Sequence, residues 1–385
     1  MTATVPDAVA DVAVAGGGLI GLGVAWRCAQ RGLSVTLADD VLEAGASYAA
    51  AGMLAPVTEA AYGEEGLLEL CRASLARFPA FVAEVEHASG IDVGLRTIGT
   101  MVVGFDADDM RALDELYDFQ RELGLAVERV TAREARRREP ALTPRLRGAL
   151  QVADDHSVDA RALHAGLLAT AQAAGVRLVR SKVAALCVEH GRATGLRLAD
   201  GTTLAAESVV LALGAWSASL PGVPPLPVRP VKGQILRLRG GAESPGLLGG
   251  TVRALVRGRP VYLVPSAHDR LIIGATVEEK GYDTTVTAGA VHDLLRDAIE
   301  VVPGVTELEL VETLARCRPG TPDNAPILGP SATPGLALAT GHYRNGVLLT
   351  PVTSDAVAEL LVSGKLPDLA APFAADRFER WNQCG

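Results

Sequence analysis

The sequence predicts an α/β chain: a Rossmann-type, mostly parallel sheet layer, with an α+β part built on an antiparallel sheet inserted into it. Three observations predict this. Near the N-terminus a short apolar run (residues 12–15), spaced glycines, a helix-like segment and a second apolar run (35–37) follow one another in βαβ order. Between Gln234 and Val277, apolar and polar residues alternate over several short runs, as in Ile235/Leu236/Leu238, Val261/Leu263 and Leu271/Ile272/Ile273. That is the pattern of an antiparallel sheet. Residues 221–230 hold five prolines in ten positions, where the chain is expected to leave the first part.

The first unit carries the clearest chemistry. Gly16, Gly18 and Gly21 spell G-x-G-x-x-G. The first glycine allows a tight turn, the second lets backbone approach a pyrophosphate, and the third lets helix and strand pack closely. The helix that follows turns its free N–H groups and positive dipole end toward the phosphates, and Gly32 is placed to end it. Asp39 closes the second strand about 20 residues on, where a carboxylate accepts hydrogen bonds from a ribose. In a chain with 41 glycines the motif alone says little. Strands, helix and carboxylate in the right order point to a dinucleotide, without distinguishing FAD from NAD.

Composition narrows the class. At 385 residues the chain can form two domains, or one large domain with an insertion. Hydrophobic residues at 49% suit a globular core, and charged residues at 21% argue against disorder. A formal charge of −9 and a pI near 5.4 argue against nucleic acid as a partner. Cys28, Cys71, Cys187, Cys317 and Cys384 are scattered, which predicts no disulfide framework and no zinc site, and suits a reducing cytoplasm. Residues 1–11 carry acids and no lysine or arginine ahead of the apolar run, so no signal peptide is expected. The longest uncharged run, 208–228, holds Gly214, Gly222 and four prolines, and reads as a buried strand and loop rather than a membrane span.

Along the chain, the small-residue run 44–54 taken alone reads as a helix start packed against the sheet. Residues 67–88 predict an amphipathic helix with Leu67, Leu70, Leu75, Phe78, Phe81 and Val82 on one face. Residues 99–105 predict a strand, and 106–123 a helix with a charged outer face. The basic run 131–138 reads as a solvated helix face. A strand is expected over 148–152, and Asp159 is placed to cap a helix running to Ala174. Short strands follow at 176–179 and 183–188. A small hairpin is expected from 195–198 and 203–204, and then a separate buried strand at 209–213 that ends in Gly214 and Ala215. Residues 287–302 predict a helix, 308–318 a returning strand and 352–363 a last helix. The glycine-punctuated segment 341–346 is a surface turn or a ligand loop. In the second case the last helix would present its N-terminus to a flavin ring and stabilise negative charge there.

Several segments together resemble the FAD-dependent amino-acid oxidase family related to D-amino-acid oxidase and sarcosine oxidase, and most of all its glycine oxidase branch, of the thiamine pathway. They are VAGGGLIG (14–21), SYAAAGML (47–54), PVKG (230–233), VYLVP (261–265), GAT (274–276), RPGTPD (318–323) and GHYRNGVLL (341–349). The resemblance implies a D-amino-acid-oxidase-like fold. Its FAD-binding domain would comprise residues 1–91, 150–226 and 314–385, and its substrate-binding domain 92–149 and 227–313. It implies non-covalent FAD, with the ADP part against Gly16, Gly18, Leu19, Ile20 and Gly21 and the ribose on Asp39 and Asp40. Ala46, Ser47, Ala51, Gly52 and Met53 would line the pyrophosphate and the ring. Val183 would meet the adenine side through its backbone, and Gly214 would let backbone approach the cofactor. His342, Tyr343, Arg344, Asn345, Gly346, Val347 and Leu348 would wrap the pyrimidine end.

For the substrate, the resemblance implies a two-pronged pair from Arg318 to the carboxylate and a second donor in Tyr262. Arg344 would turn a carbonyl toward the amine, and Met53 and Val277 would line the pocket. The implied chemistry is hydride transfer from Cα to the flavin with no dedicated acid or base. The imine would hydrolyse to glyoxylate and ammonia, and O2 would leave as hydrogen peroxide. The expected partners are a small amino acid and O2, with neither nucleic acid nor membrane, in a cytoplasmic homo-oligomer (a homotetramer in relatives). Three positions depart from the family. Asp39 replaces a glutamate, Val277 replaces a methionine, and Cys317 sits one residue out of register with the cysteine that attaches FAD covalently in some sarcosine oxidases. The same flavin motifs would also serve a D-amino-acid or N-methyl-amino-acid dehydrogenase with another electron acceptor, or a flavin-binding protein that oxidises no amine.

Overall fold

In a computed structural model of the chain, which describes residues 9–241, 246–267 and 270–378, two eight-stranded sheets form the framework. Cys384 and most of the N-terminal stretch read for a signal peptide lie outside the described residues. The first sheet is ordered Ile327–Pro330, Leu336–Thr340, Thr203–Leu211, Ala10–Ala15, Val35–Ala38, Arg177–Val179, and Arg192–Leu198 and Val183–Glu189 branch from Thr203–Leu211. Its centre is parallel: Val14 faces Leu37 on one side and Val210 on the other. Because side chains alternate across a strand, Ala10–Ala15 feeds two cores. Val12 and Val14 join the helices Leu19–Gln30, Glu65–Ser89, Ala160–Ala173 and Thr350–Ser363. Ala13 and Ala15 join the strands on the other face. A strand covered on both sides is continuously apolar, as this one is.

The expected hairpin at 203–204 and buried strand at 209–213 are instead one strand, Thr203–Leu211. Its first half pairs antiparallel with Arg192–Leu198, through Leu196↔Leu204, and its second half runs parallel to Ala10–Ala15. No glycine or proline interrupts 203–211, so the chain extends straight from one partner to the other. It stops at Leu211, and Gly214–Ser219 forms a 3₁₀ turn.

Helix ends follow local chemistry. Arg31 caps Leu19–Gln30, and Gly32 takes the left-handed conformation at φ +85°. Asp106 makes a capping box with Asp109, and Thr131 caps Ala132–Arg138. Asp159 accepts the Arg161 and Ala162 N–H groups at 2.9 and 3.0 Å with one oxygen. Its other oxygen accepts the Ser266 hydroxyl at 2.6 Å, so one cap also ties the two sheets together.

The second sheet is ordered Glu309–Gly320, Arg229–Arg239, Arg270–Gly274, Arg259–Ser266, Thr251–Val256, Thr100–Gly104, Gly148–Val152, Glu128–Thr131. It is antiparallel except where Thr251–Val256 runs beside Thr100–Gly104. Helix Ala288–Val301 covers one face with Leu294, Ala298 and Val301. The longest pairing joins Arg229–Arg239 to Glu309–Gly320 and places Val231 opposite Arg318 and Lys232 opposite Cys317.

The small-residue run lies at the junction of the sheets. Ala49 and Ala51 are buried with Ile235, Val264, Ile272 and Leu314 of the second sheet, and Met53, Tyr262 and Ala275 pack on that cluster. Three arginines from different elements satisfy the run's carbonyls. Arg316 Nε donates to Ala44 O at 2.5 Å, Arg161 Nε to Tyr48 O at 3.1 Å, and Arg237 Nη2 to Tyr48 O and Ala50 O at 3.3 and 3.4 Å. Small side chains let both sheets approach this backbone; guanidinium groups replace the water it loses.

Candidate functional site

The first component is the glycine turn. Gly16 has φ +106°, and a Cβ there would lie 2.4 Å from the Ala212 carbonyl oxygen. A Cβ on Gly21 would lie 1.8 Å from Gly16 O, so helix and strand touch backbone to backbone. Gly18 begins the helix without a side-chain cap, and no acid stands in the first turn. Only Ser47 Oγ, at 3.2 Å, would meet a Cβ on Gly18, and the same oxygen accepts the Leu19 N–H at 3.2 Å. Asp39 is bound into the turn: Oδ2 accepts the Gly17 N–H at 2.6 Å and Oδ1 the Val41 N–H at 2.9 Å. Asp40 beside it is exposed. Val183 is buried at the start of its strand, and Gly214 carries φ +54° with nothing within 4 Å of an added Cβ.

Sequence reasoning missed His164. It is buried on helix Ala160–Ala173, and its Nε2–H donates to Gly17 O at 2.8 Å. Burial holds its pKa below the ordinary histidine value, so it stays neutral and steadies the turn. It lies 147 residues from Gly17 in the chain, and no local pattern marks it.

The second component is the loop from Gly341 to Leu349. Tyr343, at φ +46°, donates its N–H to Pro319 O at 3.0 Å, which ties the loop to the strand bearing Arg318. Asn345 N–H reaches His342 O at 2.9 Å, and Ser74 Oγ donates to Leu348 O at 2.6 Å. Val347 and Leu348 are buried, and Gly346 is partly so. His342 lies 3.0 Å from Thr353 Oγ1, and burial brings its pKa down to about 3. Helix Thr350–Ser363 therefore starts from an anchored loop, without a side-chain cap or an acid in its first turn. A Cβ on Gly23 would lie 3.3 Å from Thr350 Cγ2 and 2.2 Å from Ser354 Oγ, so the two helix starts lie side by side.

The third component sits on the second sheet. Arg318 Nη1 donates to Thr276 O at 3.1 Å, and a Cβ on Gly233 would lie 2.2 Å from that nitrogen. A Cβ on Gly274 would lie 2.3 Å from Tyr262 OH. The glycines of PVKG and GAT thus clear the space that the arginine and the tyrosine occupy. Burial raises the Tyr262 pKa above the ordinary phenol value, against the opposing pull of the adjacent Arg318, so the hydroxyl remains a donor. Met53, paired with Ser157, packs on the cluster that Tyr262 also covers. Val277, expected to line the pocket, is 64% exposed on the segment after Gly274. Cys317 is buried, and its S–H faces Gly281 O at 3.7 Å on the strand face opposite Arg318.

The Arg344 side chain reaches carboxylates that sequence reasoning missed. Its Nη1 lies 3.2 Å from Glu59 Oε2 and its Nη2 3.8 Å from Glu64 Oε2. Glu59 also pairs with Arg253, 194 residues away in the chain, and Glu64 accepts from Asn324 at 2.7 Å.

Residues 11–360 match the family model described as DAO, FAD dependent oxidoreductase. The chain belongs to this FAD-dependent oxidoreductase family. It is 36% identical to a protein named glycine oxidase from Geobacillus kaustophilus over 95% of this chain and 97% of that one. The crystal structure of glycine oxidase from the same organism superposes with a TM-score of 0.87, covering 96% of this chain and 98% of that one. A protein named bifunctional protein ThiO/ThiG from Trichormus variabilis is 33% identical over 96% of this chain. The chain spans about half the length of that relative, 55% of it.

The residues present suit FAD. Two uncapped helix starts lie side by side, and Gly18, Gly45 and Gly214 line open space: a Cβ on the first would meet only a hydroxyl, and on the other two nothing within 4 Å. Such backbone accepts an anionic pyrophosphate and a flavin edge that gains charge on reduction.

Two outcomes follow. Gly233→Ala should displace the Arg318 guanidinium and weaken binding of a small carboxylate such as acetate about tenfold, read from the flavin spectrum; unchanged affinity would refute the clearance argument. His342, held near 3 against an ordinary 6.5, contributes stability that is complete above pH 6.5 and lost as the pH falls. Between pH 6.5 and 5 the loss is about 2 kcal/mol in urea unfolding. Asp155, pushed up to about 6 by burial, works in the opposite sense over pH 4–6, so the comparison of wild type with His342→Gln isolates the histidine.

Proposed function

We propose that this flavoprotein oxidises glycine, together with sarcosine and small D-amino acids, to the 2-oxo acid, ammonia (or methylamine from sarcosine) and hydrogen peroxide. The observation that carries this reading is the pairing of Arg318 with Tyr262 in a space cleared by Gly233 and Gly274. A planar guanidinium with an adjacent phenol O–H is a carboxylate receptor of amino-acid size. Arg318 grips the substrate carboxylate with two N–H donors, Tyr262 adds a third, and the carbonyl of residue 344 orients the amine. Met53 and the backbone around 276–277 bound the pocket. Bound FAD supplies the acceptor for a hydride from the substrate Cα, with O2 as the final oxidant.

Within this reading, Gly16, Gly18, Leu19, Ile20, Gly21, Asp39 and Asp40 hold the ADP part. Ala46, Ser47, Ala51, Gly52 and Met53 flank the pyrophosphate and ring, and residues 342–348 wrap the pyrimidine end. The domain division expected above puts Tyr262, Gly233 and Gly274 in the substrate-binding part, while Arg318, Arg344 and Met53 come from the FAD-binding part. Glycine imine, formed before hydrolysis, would serve thiazole synthesis for thiamine, a role consistent with the ThiO/ThiG relative. Four unpaired cysteines, Cys28, Cys71, Cys187 and Cys317, support a reducing, cytoplasmic setting, and homo-oligomeric assembly is part of the proposal. No helix of the described residues is long and apolar enough to cross a membrane.

The test is peroxide release by the purified holoenzyme on glycine, sarcosine, D-alanine and D-proline. Flavin reduction without peroxide would redirect the reading to a dehydrogenase, and no reduction by any of the four would end it. Arg318→Met should lower kcat/KM on glycine at least about a hundredfold, the cost of a charge-assisted pair, with flavin retained. With no protein base assigned, the rate of flavin reduction should rise from pH 7 to 9 as the substrate ammonium loses its proton, and a flat profile would contradict the assignment.

A further inference from the structure

Glu59 has no role in the reading above, yet it sits at the centre of the site's charges. Its side chain is 12% exposed and lies between two guanidinium groups. Arg253 makes a close ion pair with it, and Arg344 Nη1 lies 3.2 Å from Oε2. Oε2 is shielded from solvent and receives no well-directed hydrogen bond from Arg344 or another described residue, so that contact is chiefly electrostatic. Arg318 and Tyr262 lie within electrostatic range of the same carboxylate. Glu64 adds a second anion, 3.8 Å from Arg344. Three guanidinium groups thus stand around Glu59, two of them held by carboxylates. Among the described residues, Arg318 has no carboxylate within 4 Å.

We propose that Glu59 is a specificity-determining residue: by holding Arg253 and Arg344 in ion pairs it leaves Arg318 as the guanidinium open to a substrate, and so restricts the site to amines bearing one carboxylate. The inference rests on the proposed oxidation of amino acids at Arg318. A second carboxylate on the substrate nitrogen, as in iminodiacetate, would approach the side where residue 344 faces the amine. There it meets the negative charge of Glu59 and two guanidinium groups that are already paired. Without Glu59 the same place offers two positive charges with one carboxylate, Glu64, nearby. In a partly desolvated pocket, charges a few ångströms apart discriminate strongly between singly and doubly anionic ligands.

The experiment compares wild-type and Glu59→Gln holoenzymes. The amide keeps the shape of the side chain and removes its charge. Peroxide release gives kcat/KM for glycine and iminodiacetate, and the flavin spectrum gives Kd for acetate and malonate. We expect the iminodiacetate-to-glycine ratio and the malonate-to-acetate affinity ratio each to rise about tenfold or more. A flavin-retaining variant with both ratios within about twofold of wild type would overturn the proposal. If Glu59→Gln retains no flavin, Glu64→Gln decides by direction: both ratios should rise, and unchanged ratios would overturn it. If wild type releases no peroxide from glycine, the activity reading fails, while the acetate and malonate affinities still judge the charge argument.

Discussion

The second sheet of this protein depends on one strand pairing. Arg229–Arg239 and Glu309–Gly320 run antiparallel in a register that sets Gly233 against the guanidinium of Arg318. A side chain at 233 would occupy the position of a terminal nitrogen. A shift of one residue would turn Arg318 to the face where Cys317 is buried beside Gly281. The same strand carries Pro319, whose carbonyl anchors Tyr343 and with it the loop that starts the last helix. Arg318 and the loop from Gly341 to Leu349 are therefore tied to the same strand.

The two sheets meet over a segment too small to separate them. Ala49 and Ala51 let the second sheet pack on backbone, and Arg161, Arg237 and Arg316 satisfy the carbonyls that are thereby buried. Arg237 bears the cost of this arrangement: burial brings its pKa down to about 10, which still leaves it charged at neutral pH. The Asp159–Ser266 bond fastens the same junction from the helix side. Much of the polar network thus orders the boundary between the two sheets.

Local rules made a large part of the chain legible. The glycine turn, the cap at Asp159 and the apolar face of Glu65–Ser89 depend on residues a few positions apart, and the structure carries them as expected. The strand Thr203–Leu211 was legible only as pieces, because its two halves differ in partner and not in composition. Val277 follows the same logic: a family position assigns it to the pocket, while its exposure depends on the path of the loop after Gly274. The uses of Gly233 and Gly274 were also hidden. A motif shows that a glycine is present; only a neighbour from another strand shows what it makes room for.

By itself the sequence determined the βαβ nucleotide turn, the alternation of the antiparallel sheet, the helix cap at Asp159 and, through its motifs, the family, because these rest on short-range geometry and on residue order. Tertiary structure alone decided that His164 supports Gly17, that Glu59 stands between Arg253 and Arg344, and that two uncapped helix starts lie side by side. Those contacts join residues far apart in the chain. Charge and burial act through space, and no periodicity records which distant side chains folding brings within a few ångströms of one another.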